Sequence, residues 1–331
     1  MRALAAALPE QLTSGFRSGQ ELAPPAAGRP TTVYVVGMGG SAIAADLVGG
    51  VVGAETPVEI RAIRSPELPR AVERKSRVVL VSYSGSTWET VRAYDAAGRS
   101  GASRFVVTSG GLLAERAARD EVPLLPLPAG LPPRCAVGQV VGSLLGLLDP
   151  WFPESNEARV ARVAGRLARL MPEYASPRGP AAALARRIGS RMPVIYAEAA
   201  FAGVARRWMT QLEENSKRLA MFDEAPELFH NAIVGWDALP WREAARFAVL
   251  LLRWEGGPAS TRRSFEYFAR LLDRHGVSAL PVALAPEDRL EATLAGVALG
   301  DYLSLALADR RGVDPLPFDA IGRMKAALAA R

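Results

Sequence analysis

A unit that occurs twice in the first hundred residues constrains the folding options of this chain most. It is a short apolar run rich in β-branched residues, then a loop of glycine or hydroxyl residues, then a helical pattern. The first copy is Thr32-Val33-Tyr34-Val35-Val36, followed by Gly37-Met38-Gly39-Gly40-Ser41 and the alanine-rich segment from Ala42 to Leu47. The second runs from Val78 to Ser82, through Tyr83-Ser84-Gly85-Ser86-Thr87, into Trp88 to Ala97. Near-continuous apolar strands that alternate with helices belong to a parallel sheet covered on both faces. In such sheets ligands bind beyond the carboxyl ends of the strands, where strand order changes direction. Both loops fall at that edge.

The two loops suit different parts of a ligand. Glycines let the backbone of the first approach a ligand closely, and the amide groups opening the next helix favour an anion. The second loop sets Ser82, Ser84, Ser86 and Thr87 around Gly85. Hydroxyls and helix-start amides donate several hydrogen bonds to a phosphate without burying lysines. Helix capping explains one such hydroxyl, not four. The first loop also fits the dinucleotide pattern Gly37-x-Gly39-x-x-Ala42. A dinucleotide fold, however, calls for no hydroxyl cup after another strand, and its ribose-binding acid is matched only loosely by Glu59.

Further strands are expected at Val58–Ile60, Phe105–Thr108 and Leu124–Leu127, with a helix after Gly111 and a last helix over Ala136–Leu148. Asp149-Pro150-Trp151-Phe152-Pro153 breaks that helix, which puts a domain boundary at residue 150. From residue 151 the alternation returns: strands at Val194–Tyr196, Phe247–Leu252 and Val277–Val282, and helices at 158–170, 181–188, 203–212, 261–275, 290–308 and 321–329. Two doubly wound α/β domains, 1–150 and 151–331, are the economical expectation.

Composition narrows the function classes. The net charge of +6 comes from 40 basic and 34 acidic residues spread along the chain, so no charged block suggests a nucleic-acid partner. One cysteine, Cys135, excludes an internal disulfide and a multi-cysteine metal site. No run is expected to reach the roughly 18 apolar residues of a membrane span. A cytoplasmic protein with no membrane or nucleic-acid partner is expected. Only Lys75, Lys217 and Lys325 are lysines, which marks each for attention.

Acid and base candidates lie in two polar stretches of the second half, Gln211 to Lys217 and Pro226 to Gly235. Proton abstraction beside a carbonyl needs a carboxylate of tuned basicity, and opening a sugar ring needs a group that exchanges protons near neutral pH. The histidines are His230 and His275. The latter sits at an expected helix end, where a histidine needs no further role.

The paired loops resemble those of sugar isomerase (SIS) domains, whose first loop meets the sugar and whose second grips its phosphate. Together with Glu214-Asn215-Ser216-Lys217 and Glu227-Leu228-Phe229-His230-Asn231, the chain resembles the bifunctional phosphoglucose/phosphomannose isomerases over essentially its whole length. The resemblance implies a homodimer acting on a phosphorylated hexose without cofactor or metal. Glu214 would move the proton between C1 and C2. His230, reaching in from the neighbouring subunit, would open the ring. Arg134 would stabilise the enediolate, and Lys325 on a terminal helix would contact the sugar oxygens. Gly39, Gly40 and Ser41 would face the sugar, and Ser82, Ser84 and Thr87 the phosphate. Three departures stand out: Ser86 replaces the usual asparagine, Ala232 replaces a glutamate, and Pro315 to Ala320 lacks the threonine associated with the mannose epimer. The expected reaction is glucose 6-phosphate to fructose 6-phosphate, with mannose 6-phosphate as a second aldose. The rival from another class is a sugar-phosphate-binding regulator without turnover.

Overall fold

The computed structural model describes residues 1–24, 28–53, 55–277, 279–284, 288–317, 320, 322–324 and 327. Two helices, α1 (Arg2–Ala6) and α2 (Leu8–Glu21), precede the first sheet. Then come β1 (Thr32–Val36), α3 (Gly40–Val52), β2 (Glu59–Ile63), β3 (Arg77–Val81), α4 (Trp88–Arg99), β4 (Ser103–Thr108), α5 (Gly111–Arg119), β5 (Leu124–Pro126) and α6 (Val137–Leu148). After α7 (Glu157–Ala175) and α8 (Pro180–Ile188), the second sheet is built from β6 (Met192–Glu198), α9 (Ala202–Ser216), β7 (Met221–Ala225), α10 (Ala232–Ala238), α11 (Trp241–Ala244), β8 (Phe247–Trp254), α12 (Ala259–Arg274) and β9 (Ala279–Leu284). The long helix α13 (Arg289–Arg311) closes the fold.

All strand pairs are parallel, in the orders β2-β1-β3-β4-β5 and β7-β6-β8-β9. Each sheet starts at an inner strand, adds one neighbour on one side and then builds outward on the other. The change of direction falls between β1 and β3 in the first sheet and between β6 and β8 in the second.

The inner strands β1, β3, β6 and β8 are apolar at nearly every position because both faces are covered. Val33, Val35, Val79 and Val81 point into one large core, while Tyr34, Val36, Val78 and Leu80 point into a smaller one on the opposite face. The second sheet repeats this, with Ile195, Ala197, Leu250 and Leu252 in the same large core and Val194, Tyr196, Val249 and Leu251 facing away. The two sheets therefore share one core, filled by α3, α6, α9 and α13. The turn Asp149–Trp151, where the sequence suggested a boundary, lies between the strands of the first sheet and those of the second.

Two expectations change. Strand β7 was not expected, because Met221-Phe222-Asp223-Glu224-Ala225 has no apolar pattern. It is an edge strand paired only to β6, where backbone pairing suffices and polar side chains are tolerated. Helix α13 is long and apolar enough to cross a membrane by length and composition, contrary to expectation, yet nearly all of it is buried inside the fold. A helix surrounded by protein on all sides is apolar all round for that reason. Its buried Glu291 and Asp301 are paired with Arg166 and Arg207.

Candidate active site

The first loop begins at the end of β1. Gly39 is the N-cap of α3 at φ +53°, a conformation that favours glycine, and no side chain caps the helix. A methyl group on Gly37 would fall 3.0 Å from the Val81 carbonyl, so this loop touches the end of β3. A methyl group on Gly40 would lie 3.5 Å from Arg134 Cα. Gly40 and Ser41 are thus held beside the turn that carries the arginine.

The hydroxyl loop extends from β3 and is closed by its own residues. Ser82 Oγ and Thr87 Oγ1 are 2.9 Å apart, and the Gly85 amide donates to the Ser82 carbonyl at 3.1 Å. Gly85, at φ +64°, has no room for a side chain: a methyl group would sit 1.7 Å from the Gly110 carbonyl. Thr87 precedes α4 without capping it, and among the described residues the first-turn amides of α4 have no side-chain acceptor. Ser84 and Ser86 are exposed at the same end, and the Ser86 amide donates to Ser84 Oγ. Uncapped amides and exposed hydroxyls at a helix start can together hold an anion such as phosphate.

Arg134 lies in the helical turn Pro133–Ala136 and is only 3% exposed. Its Nε donates to Asn215 Oδ1 at 2.8 Å and its Nη2 to the Pro315 carbonyl at 2.7 Å, while Nη1 faces Glu214 Oε2 at 3.7 Å. Behind it, Arg207 donates to the Arg134 carbonyl at 3.0 Å and holds Asp301 through two further bonds, with Gln211 donating to the same carboxylate. The guanidinium, carried by the first half of the chain, is therefore held by residues of the second.

Glu214 is half-buried near the end of α9. Burial raises its pKa above the ordinary glutamate value, a shift opposed by Arg134, Arg207 and Lys217 and reinforced by Glu213. Burial also lowers the Arg134 pKa, with Glu214 pulling the other way. A carboxylate of raised basicity facing a fixed guanidinium can remove a carbon-bound proton and stabilise the oxyanion that results. Lys217 ends α9 at φ +53° and donates to the Glu214 and Pro317 carbonyls at 2.5 and 3.0 Å. It ties the segment after α13 to this site.

The structure thus brings Gly39, Gly40, Ser41, Ser82, Ser84, Thr87, Arg134 and Glu214 to one end of the first sheet. It does not bring His230 to them within one chain. His230 comes after a helical turn, Glu227–Phe229, at the far side of the second sheet. It is exposed and makes no side-chain hydrogen bond among the described residues. Lys325 lies outside the described residues. Among those described, no three His, Cys, Asp or Glu side chains are placed to hold a metal ion. Cavities of about 350 and 480 Å³ lie beside Tyr174 and Tyr302 and beside Glu198 and Trp254, and neither is lined by Arg134 or Glu214.

Asn215, Arg207, Gln211 and Asp301 had no role in the sequence reading. A signal existed: Arg207, Gln211 and Asn215 recur every four residues among buried Val204, Trp208 and Leu212, a buried polar stripe on one helix face.

Comparison with known proteins agrees with this fold. Residues 178–328 match the family described as bacterial phospho-glucose isomerase C-terminal SIS domain. A bifunctional phosphoglucose/phosphomannose isomerase of Caldicellulosiruptor bescii is 30% identical over 97% of this chain and 97% of that protein. Another, from Aquifex aeolicus, is 31% identical over 88% of this chain and 89% of that one. Among solved structures, tagatose-6-phosphate ketose/aldose isomerase from Escherichia coli matches with a TM-score of 0.68 and 16% identity, over 95% of this chain and 93% of that one. This last likeness is one of fold.

Proposed function

The chain belongs to the bifunctional phosphoglucose/phosphomannose isomerase family, and on that premise we propose that it interconverts glucose 6-phosphate and fructose 6-phosphate through a cis-enediolate. Mannose 6-phosphate is the second aldose of the reading, and the Pro315-Leu316-Pro317 stretch, which lacks a hydroxyl side chain, makes it the poorer one. The observation that carries the proposal is the half-buried Glu214 carboxylate facing the buried Arg134 guanidinium, one loop away from an uncapped hydroxyl-lined helix start.

In this reading the phosphate sits on Ser82, Ser84, Thr87 and the first-turn amides of α4. The sugar extends past Gly39, Gly40 and Ser41 toward Arg134. Glu214 takes the proton from C2 of the open-chain aldose. The C–H electron pair becomes the C1–C2 double bond, and the carbonyl pair moves onto O1. Arg134 is already in place when that charge develops, so it stabilises the transition state more than the neutral substrate. The O2 hydroxyl proton then passes to O1, the freed O2 pair forms the C2 carbonyl, and the electrons of the C1–C2 double bond take the proton back from Glu214 at C1. Phosphate binding, remote from the reacting carbons, supplies positioning. Acid–base chemistry of this kind needs no Lewis acid, so the reading is metal-independent. Ring opening falls to the partner subunit's His230 in a cytoplasmic homodimer, a role that suits an exposed histidine whose side chain makes no hydrogen bond among the described residues. Lys325 completes the contacts to the sugar oxygens.

The test is an isomerase assay on chelator-treated protein supplied with fructose 6-phosphate, with glucose 6-phosphate and mannose 6-phosphate quantified separately. Glucose 6-phosphate as the dominant product with some mannose 6-phosphate is expected. Bound fructose 6-phosphate with neither product would turn the reading to a sugar-phosphate-binding regulator.

A further inference from the structure

We propose that Tyr83 is a positioning residue that couples phosphate occupancy of the hydroxyl loop to the placement of Arg134. The proposal rests on the isomerase reading for what Arg134 does, but not for the coupling itself. Tyr83 stands between Ser82 and Ser84, yet its side chain leaves the loop. Its ring packs against the large core, and its hydroxyl reaches the segment that leads to the arginine. There it donates to the Pro128 carbonyl at 2.7 Å and accepts from the Leu131 amide at 2.7 Å. One phenol thus closes the turn Pro128–Leu131.

The segment between that turn and the arginine is stiff. Pro132 and Pro133 hold their φ angles by ring closure, so displacement of Leu131 is passed on to Arg134 rather than absorbed. The other end of the link is also fixed. The Tyr83 carbonyl accepts from the Ser109 amide at 3.1 Å and from Ser109 Oγ at 2.6 Å. The neighbouring Ser82 and Ser84 carry the hydroxyls that face the anion. Movement of the loop about a bound phosphate therefore has a short route, Tyr83 hydroxyl to Leu131 to Arg134. Among the described residues, the second half of the chain holds the tip of that arginine, through Asn215 and Pro315, and its carbonyl through Arg207.

Tyr83→Phe keeps the ring and removes both hydrogen bonds. Turnover of fructose 6-phosphate is expected to fall about tenfold or more with KM changed less than about threefold, since the phosphate contacts remain. In an Arg134→Gln background the same change is expected to cost less than about twofold, because two residues acting through one group are not additive. Amide hydrogen exchange supplies a readout independent of turnover. In the parent protein, added fructose 6-phosphate slows exchange over Leu131–Ala136, and in Tyr83→Phe it does not. Turnover of Tyr83→Phe within about twofold of the parent, or an equal loss in both backgrounds, would overturn the coupling. So would exchange over Leu131–Ala136 that responds to the sugar phosphate equally with and without the hydroxyl. Tyr83-dependent protection in a parent protein that isomerises nothing would sustain the coupling and defeat the isomerase reading alone.

Discussion

Replacing Asn215 by leucine tests whether the arginine is held as the structure shows. The side chain is 1% exposed and makes two hydrogen bonds, accepting from Arg134 Nε and donating to Ser304 Oγ. Leucine is close in size and offers neither. Ser304 keeps its bond to the Asp301 carbonyl at 2.6 Å, so the costlier loss is the bond to the charged Nε. A hydrogen bond to a charged group contributes about 1.5–3 kcal/mol and a neutral one about 1, so the variant should lose about 3 kcal/mol of stability. Urea denaturation monitored by tryptophan fluorescence measures this. If orientation of the guanidinium matters to the enediolate, part of that energy is lost from the transition state, and about 2.7 kcal/mol corresponds to roughly 100-fold in kcat. Asn215→Asp, which keeps an acceptor for Nε, should recover part of the turnover. A stability loss with unchanged kcat would refute the assignment of Arg134 to charge stabilisation. Unchanged stability would refute the buried hydrogen bonds themselves.

The same geometry sets two further outcomes. Because burial raises the Glu214 pKa in the folded protein, its ionised form costs stability at pH above that raised value and costs nothing below the ordinary glutamate pKa of 4.5. Glu214→Gln should therefore be more stable than the parent at neutral pH, with the gain vanishing as pH falls toward 4.5, in thermal melts run across that range. Ser84→Ala removes an exposed hydroxyl at the proposed phosphate site, and loss of one bond to a charged ligand, about 1.5–3 kcal/mol, should raise KM for fructose 6-phosphate about tenfold or more with kcat less affected.

Much of the fold was readable because each inner strand is buried on both faces. Val33 to Val36 and Phe247 to Leu252 must be apolar at nearly every position, and no exposed helix reads that way. Strand β7 was not readable, since an edge strand held by backbone pairing leaves no pattern in Asp223 and Glu224. The membrane-like composition of α13 was misjudged for a related reason: a helix at the centre of a shared core and a helix in lipid face the same selection for apolar side chains. In the candidate site, the placement of the two loops at strand ends was legible because glycines and clustered hydroxyls follow the apolar runs directly. Arg134 and Glu214 were legible only through their surrounding motifs. Nothing in one dimension says that the turn after Pro132-Pro133 lies under Gly40 or that Asn215 grips the guanidinium. That is fixed by the packing of α9 and α13 against the first half, and Tyr83 depends on the same kind of contact.

The measurement that bears most directly on the proton-transfer account is solvent exchange in deuterium oxide, with chelator-treated protein, fructose 6-phosphate and proton NMR of the hexose phosphates. Transfer by Glu214 predicts deuterium at C1 of fructose 6-phosphate and C2 of glucose 6-phosphate in the parent protein. In Glu214→Gln it predicts neither label nor product, with fructose 6-phosphate still bound. Label and product formed at near-parental rates by Glu214→Gln would contradict it.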